Sequence, residues 1–346
     1  MTELVSLADV RAAASRLIGV TVRTPLMPFT AVRPAGGHPL LVKPESLQPT
    51  GAFKLRGAYN AVYAVTRGLD SCAKPEGVVA HSSGNHGFAV AYAARLLGVS
   101  AAIVVPANAP AVKTAAIESA GAELIQVEPT MAARLTAMEE IARVRGYHPV
   151  APFDDRDVIA GQGTIGLEIA EDFTAGSVAG AKRTAAVIVP VSGGGLISGI
   201  AVAVKTLLPG TRVIGVEPEL AADARDSLRA GTRVAWTPAQ TARTRADALR
   251  VEQVGELTFP HLQAYVDDIV TVTEDELLDA IGWLARQARL IAEPGGAAAV
   301  AAALYRDAGE LGITSATDEP VVALLSGGNI EPALLIEILQ TRSYTG

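Results

Sequence analysis

The sequence predicts an α/β protein with two open, parallel-sheet domains, and three observations carry that prediction. Short β-branched runs alternate with longer helical ones along most of the chain. Glycine-rich turns close several of the strand runs: SSGNHG at Ser82 to Gly87, SGGGL at Ser192 to Leu196, and SGGN at Ser326 to Asn329. The 346 residues are 49% hydrophobic and 19% charged, long enough for two modest cores and composed like a well-packed globular protein.

The elements follow in order. MTELVSLADVRAAASRLIGV mixes acidic with apolar residues and has no basic region ahead of an apolar core, so it reads as a helix and not as a signal peptide. Pro49, Thr50 and Gly51 read as a turn, with Thr50 capping the helix that follows. Lys54 then falls in the first helical turn beside the small residues Gly57, Ala58 and Ala61, a bare face that leaves room for a bulky occupant. GVVAHSS leads into HGFAVAYAARLLG, SAAIVVP into APAVKTAAIESA, and AELIQV into TMAARLTAMEEIARVRG. AEDFTAGSVAGAKRTAA has no periodicity and reads as an exposed connection. The alternation then resumes with TAAVIVPVS and GLISGIAVAVKTLL, TRVIGVEP and a helix after Ala221, and DDIVTVTE and DELLDAIGWLARQARLI. EPVVALLS and a glycine turn precede the last helix, EPALLIEILQTR.

Composition excludes several function classes. A net charge of -7 leaves no basic footprint for nucleic acid. The single cysteine, Cys72, rules out an internal disulfide and a thiolate metal cluster, which fits a reducing cytoplasm. The longest apolar stretch, around GGAAAVAAALY, is far short of the roughly 18 residues of a membrane span.

At glycine turns the backbone amides converge, and a helix opening behind them adds the positive end of its dipole; together they make an anion site. SGGGL is the strongest phosphate cradle, since Gly193, Gly194 and Gly195 run directly into the helix Leu196 to Leu208. The plainer reading of such a turn is close helix packing with no ligand. A dinucleotide fold is one rival, because Gly193, Gly195 and Ser198 partly follow GxGxxG and Glu217 stands near the place of a ribose-binding acid. A serine hydrolase is another: Ala80, Ser82 and Gly84 are one residue from the GxSxG elbow and His261 follows, but no rule selects a carboxylate partner among Asp223, Asp226 and Asp247. Neither rival gives Lys54 a task. Pyridoxal phosphate does, since it needs a lysine amine, an anion cradle, a polar group for its phenolic oxygen and a partner for its pyridine nitrogen. Lys54, the Gly193 to Leu196 loop, Asn85 and Ser326 supply the four.

Longer stretches carry a resemblance: KPESLQPTGAFKLRGAYN, HSSGNHGFAVAYAARLLG, VPANAPAVKTAAIESAGAEL, VIAGQGTIGLEI, VPVSGGGLISGIA, GVEPE, VGELTFPHL, VDDIVTVTEDEL and LLSGGNIE. By these the sequence resembles the fold type II pyridoxal phosphate enzymes of the serine/threonine dehydratase and serine racemase family, whose fold is like that of tryptophan synthase β. The resemblance implies a large cofactor-binding domain from residues 1–50 and 150–346, a small substrate-closing domain from 51–149, and a cofactor in the cleft between them. It implies a dehydratase, or ammonia-lyase, that turns a β-hydroxy amino acid such as L-threonine or L-serine into a 2-oxo acid and ammonia. The alternatives on the same site are an amino-acid racemase and a 3-hydroxyaspartate or phenylserine dehydratase. A cytoplasmic homodimer is the implied state.

The roles implied by the resemblance map residue by residue. Lys54 binds the cofactor and acts as general base, and Phe53, Asn85, Ser192, Gly193, Gly194, Gly195, Leu196 and Ser326 hold the cofactor. Ser326 offers a hydroxyl, not a carboxylate, to the pyridine nitrogen, a weak electron sink that suits β-elimination. Ser82, Ser83, Asn85, His86 and Arg134 receive the substrate, and His81 and Asp154 lie in the same motifs. Ser83 matches the second acid/base of racemases, where many threonine dehydratases have alanine; as a serine at a helix start it equally suits a cap. Glu217, the Ala221 carbonyl and Asp223 match a divalent-cation site whose hard oxygens suit Mg2+ or Ca2+. Phe88 stands where the family commonly has glutamine and Ala248 where glycine is usual, both near the cleft in relatives; Ser192 replaces the first of four glycines. The chain ends soon after SGGN, which leaves no room for an appended regulatory domain and points to a catabolic or specialised role.

Overall fold

The computed structural model describes residues 3–30, 34–67, 74–109, 111–178, 181–314 and 318–342, without the side chains of 112 and 113. Cys72, residues 179 and 180 and the last residues up to Gly346 lie outside the described residues; of the connection expected over 170–186, residues 170–174 instead complete α6, with Ala170 and Phe173 buried. In chain order the first half runs α1 (Leu7–Arg16), β1 (Met27–Phe29), β2 (Leu40–Pro44), α2 (Lys54–Arg67), β3 (Gly77–His81), α3 (Asn85–Leu97), β4 (Ser100–Pro106), α4 (Ala111–Ser119), β5 (Glu123–Val127), α5 (Met131–Arg145) and β6 (Tyr147–Pro149). The second half runs α6 (Arg156–Thr174), β7 (Ala186–Pro190), α7 (Gly195–Leu207), β8 (Arg212–Pro218), α8 (Asp223–Ala230), α9 (Pro238–Thr241) and α10 (Thr258–Tyr265). It closes with β9 (Asp268–Val272), α11 (Glu274–Trp283), α12 (Pro294–Tyr305), β10 (Val321–Leu325) and α13 (Pro332–Thr341).

The strands form two sheets, one of order β1-β2-β10-β7-β8-β9 and one of order β5-β4-β3-β6. All neighbours are parallel except β1, which runs antiparallel to β2 at one edge. Helices cover both faces of the large sheet, so β2, β7 and β10 are buried along their whole length. That is why VVALL and AVIVP read as unbroken apolar runs. The alanine-rich stretch becomes α12, buried from Pro294 to Leu304 against the large sheet. The predicted helix after β9 is shorter than its apolar pattern. Regular winding stops at Trp283, one wider turn spans Leu284–Ala288, and Arg289 then takes the left-handed conformation at φ 60.

A buried cluster of four charges lies behind α2. Arg56 donates to Glu45 at 2.7 Å and to Glu168 at 2.6 Å, and Lys43 donates to Glu168 at 2.7 Å. Thr24, Gln48 and Thr164 complete the hydrogen bonding, so the two cations and two carboxylates are paired in full. Through it the back of α2 is tied to the end of β2 and to α6.

Candidate active site

The carboxyl ends of β3, β7 and β10 bring the three glycine turns to one cleft of about 340 Å3. Lys54 opens into it from α2. This helix begins at Lys54 itself, and Thr50 does not cap it: its buried hydroxyl turns to the Ala52 carbonyl at 3.4 Å. Tertiary bonds set the start instead, since the Phe53 amide donates to the Ser326 carbonyl at 3.0 Å and Ala52 bridges to Gly327. The bare helix face also serves a different end from the one its composition suggested. A Cβ on Gly57 would stand 2.3 Å from Gln162 Nε2 and 2.8 Å from the Val158 carbonyl, so this face packs on α6, and Ala58 lies in the core under the small sheet.

Lys54 Nζ donates to the Pro152 carbonyl at 2.7 Å and lies 5.1 Å from the centre of the Phe53 ring. Burial pushes its ammonium down to about 8, against the opposing pull of the Glu293 carboxylate. The phosphate-loop residues Ser192, Gly193, Gly194, Gly195 and Leu196 line the cleft, as does Ser326. No side chain caps α7, so its first amides keep their anion-binding capacity, and the buried Ser192 hydroxyl has no hydrogen-bond partner among the described residues. A phosphate at the start of α7 would satisfy both. The residues therefore fit the cofactor on the chemistry of this chain alone.

Ser82, Ser83, Asn85, His86 and Arg134 line the same cleft. Gly84 is the N-cap of α3 and no side chain caps that helix, so Ser83 has no capping duty, whereas the Ser82 hydroxyl accepts the Gly84 amide at 3.2 Å. His86 Nε2 donates to the Val150 carbonyl at 3.0 Å; burial, then the charge of Lys54, hold the ring down to about 3, neutral at any working pH. Burial, then the Arg134 cation, also lower His81, whose Nδ1 is buried without a partner among the described residues. Asp154 faces away from the cleft and accepts the amides of Glu256, Leu257 and Thr258. Ala248 lines the cleft, but Phe88 does not: it is half-buried against the small-sheet core, with its ring 6.4 Å from that of Tyr92.

The rival readings lose their key residues. Glu217 is buried outside the cleft, each of its oxygens accepting one amide, of Ala224 or of Arg225, and Ser198 is fully buried. His261 is held between the Val5 amide and the Leu257 carbonyl, away from Ser82. Glu217 and Asp223 are both buried at the β8–α8 junction, outside the cleft. Neither oxygen of Asp223 has a hydrogen-bond partner among the described residues. Burial, then the Asp223 charge, raise Glu217 well above the carboxylate range, and burial pushes Asp223 up to about 7. No group of three or more His, Cys, Asp or Glu side chains among the described residues could hold a metal.

A model of the family described as pyridoxal-phosphate dependent enzyme matches residues 19–327. The chain belongs to that family. This pyridoxal-phosphate dependent enzyme is 39% identical over 338 residues to the L-threonine ammonia-lyase of Thermotoga maritima, covering 97% of this chain and 78% of that one. It is 36% identical over 323 residues to the L-threo-3-hydroxyaspartate ammonia-lyase of Saccharomyces cerevisiae, covering 93% of each. Among solved structures it superposes on maize serine racemase with a TM-score of 0.86 at 34% identity over 97% of both chains. Fold type II architecture follows from these neighbours.

Two residues bonded to Asn85 were not singled out from the sequence. Glu293, the N-cap of α12, lines the cleft and accepts from Asn85 Nδ2 at 2.6 Å. Asn329, the last residue of SGGN, donates to Asn85 Oδ1 at 2.7 Å. Glu293 had a faint signal in EPGG, an acid ahead of an N1 proline and two glycines, which marks a helix start packed against something close.

Proposed function

We propose that this protein is a pyridoxal-phosphate dependent ammonia-lyase that converts a β-hydroxy amino acid such as L-threonine or L-serine into the 2-oxo acid and ammonia. The observation that carries the reading is Lys54, a buried amine brought to about 8 in a cleft that a glycine loop at a helix start also lines. When bound, pyridoxal phosphate withdraws electrons from the substrate Cα and makes its proton removable. Lys54 would anchor the cofactor, with Phe53 beside it, the Ser192 to Leu196 loop on the phosphate, Asn85 at the phenolic oxygen and Ser326 at the pyridine nitrogen.

The remaining steps belong to the chain. Lys54 Nζ, able to exist unprotonated near neutral pH, accepts the Cα proton. The substrate carboxylate rests on the amides and hydroxyls of Ser82, Ser83 and Asn85 at the start of α3, where an anion is favoured. His86 stays neutral and holds the turn. Arg134, which also lines the cleft, would close on the substrate, and His81 supports the turn. Loss of the β-hydroxyl as water leaves an enamine, whose imine tautomer takes up one water at Cα as it releases ammonia, so the water lost and the water gained cancel and the amino acid goes to oxo acid plus ammonia.

Racemisation is a second reading, and one observation favours it: Ser83 lines the cleft with no capping duty, so its hydroxyl is free to serve the face opposite Lys54. Incubation with L-serine, L-threonine, both threo-3-hydroxyaspartates and phenylserine, reading 2-oxo acid and enantiomer together, separates the readings. The lyase predicts oxo acid from at least one of them; opposite enantiomer without oxo acid would replace it with the racemase, and neither product would sink both.

Glu217, the Ala221 carbonyl and Asp223 would hold Mg2+ or Ca2+, a reading supported by the two unpartnered oxygens of buried Asp223. The strands of the small sheet fall within 51–149 and those of the large sheet outside it, which supports the two-domain division. No helix among the described residues is long and apolar enough to cross a membrane. A cytoplasmic homodimer acting on a small amino acid completes the reading.

A further inference from the structure

A chain of hydrogen bonds joins three separate motifs beside the cleft, from exposed Asn329 to Glu293 in the cleft lining. Asn329 Nδ2 donates to the Thr50 carbonyl at 2.9 Å and to Asn85 Oδ1 at 2.7 Å, and Asn85 Nδ2 donates to Glu293 Oε1 at 2.6 Å. Both ends of this chain can only accept, one being a peptide carbonyl and the other a carboxylate. The polarity of every link is thereby fixed. Asn329 must turn its amino group to Thr50, and Asn85 must turn its amino group to Glu293. Rotating the Asn85 amide by half a turn would set its oxygen against the carboxylate and its nitrogen against another nitrogen.

The surrounding glycines are shaped for this arrangement. A Cβ on Gly51 would stand 2.3 Å from Asn329 Oδ1, and a Cβ on Gly327 would stand 2.3 Å from Glu293 Oε1. The glycines of PTGAFK and SGGN thus admit the two side chains that grip Asn85. Asn85 Nδ2 carries two hydrogens; Glu293 takes one, and the second remains for the cleft that Asn85 lines.

We propose that Glu293 and Asn329 are positioning residues that lock the Asn85 amide so that it presents N–H, never its carbonyl, to the ring oxygen of the bound cofactor. This rests on the reading of the cleft given above, with Asn85 beside that oxygen. An N–H donor favours the ionised ring oxygen, whereas a carbonyl in its place would repel it.

The absorbance of the holoenzyme reads the ionisation of that oxygen independently of turnover. In Glu293→Gln the side chain can donate as well as accept, so Asn85 loses its fixed polarity. The expected result is a bound cofactor whose visible band gives way in part to a near-ultraviolet band at neutral pH, with its midpoint moved up by about one pH unit, tenfold in the protonation equilibrium. Loss of the carboxylate charge alone would move the midpoint down, so the sign separates the two effects. A midpoint that is unchanged or lowered in Glu293→Gln overturns the proposal while leaving the cofactor site standing. The same substitution made in Asn85→Ala should give no upward shift; an upward shift there would also overturn it. Should Glu293→Gln not fold, Asn329→Ala loosens the other grip without changing charge, and a wild-type spectrum in that variant overturns the proposal equally. Wild-type protein that forms no cofactor band overturns the reading of the cleft itself.

Discussion

At neutral pH an exposed lysine amine is almost wholly protonated and a poor nucleophile toward an aldehyde. Lys54 escapes this because burial disfavours its ammonium more than Glu293 restores it, which leaves the group at about 8 instead of 10.5. The consequence is a pH dependence with a definite sign: the neutral amine accumulates as pH rises through about 8. Uptake of pyridoxal phosphate by the apoprotein, followed by the visible band, should accelerate about tenfold between pH 7 and pH 9 and then level off. An unperturbed lysine would give about a hundredfold rise over the same range with no plateau. His86 contributes nothing to this profile, since it is neutral throughout.

Among the elements, α2 presents Lys54 to the cleft, and the β8–α8 junction is where a cation is proposed. The first turn of α2 is held in front by Ser326 and Gly327 and behind by Arg56 within its charge cluster, so Lys54 is presented from a backbone with little freedom. Breaking such a buried pair by removing one partner typically costs about 3 to 5 kcal/mol, which makes the cluster a structural requirement of the site. At the β8–α8 junction two buried carboxylates face each other's charge, an arrangement that a bound divalent cation would relieve. Mg2+ or Ca2+ at about a hundredfold excess over Kd should stabilise the fold by about 2.7 kcal/mol. A Tm that rises by several degrees with the cation and falls back with EDTA is the expected outcome. No change with either would remove Glu217, Ala221 and Asp223 from the cation-binding role, and Glu217→Gln should abolish the rise.

For the molecule as a whole, what could be read from the sequence depended on how far apart the interacting residues lie along the chain. Parallel strands buried on both faces announce themselves as apolar runs, and their glycine turns carry the site, so the α/β class, the three turns and Lys54 were legible. β1 and β6 have three residues each, too few for a pattern, and β2 carries Lys43, whose burial makes sense only beside Glu168, 125 residues later. The start of α2 was misplaced because Thr50 looks like a cap, while the actual restraint comes from Ser326 on another strand end. Glu293 stayed hidden for the same reason, with Asn85 208 residues away. Phe88 was placed near the cleft by resemblance, but this aromatic side chain on α3 packs beside Tyr92 against the outside of the small-sheet core.

The most direct test of Lys54 as the group that binds the cofactor and moves the Cα proton is borohydride reduction of the holoenzyme, peptide mass analysis, and the same procedure on Lys54→Arg. The predicted result is cofactor fixed at Lys54 in the wild-type chain. Lys54→Arg should keep the wild-type circular dichroism, fix no cofactor and release no 2-oxo acid from any β-hydroxy amino acid. Cofactor fixed on a different lysine, or turnover in Lys54→Arg, would contradict it.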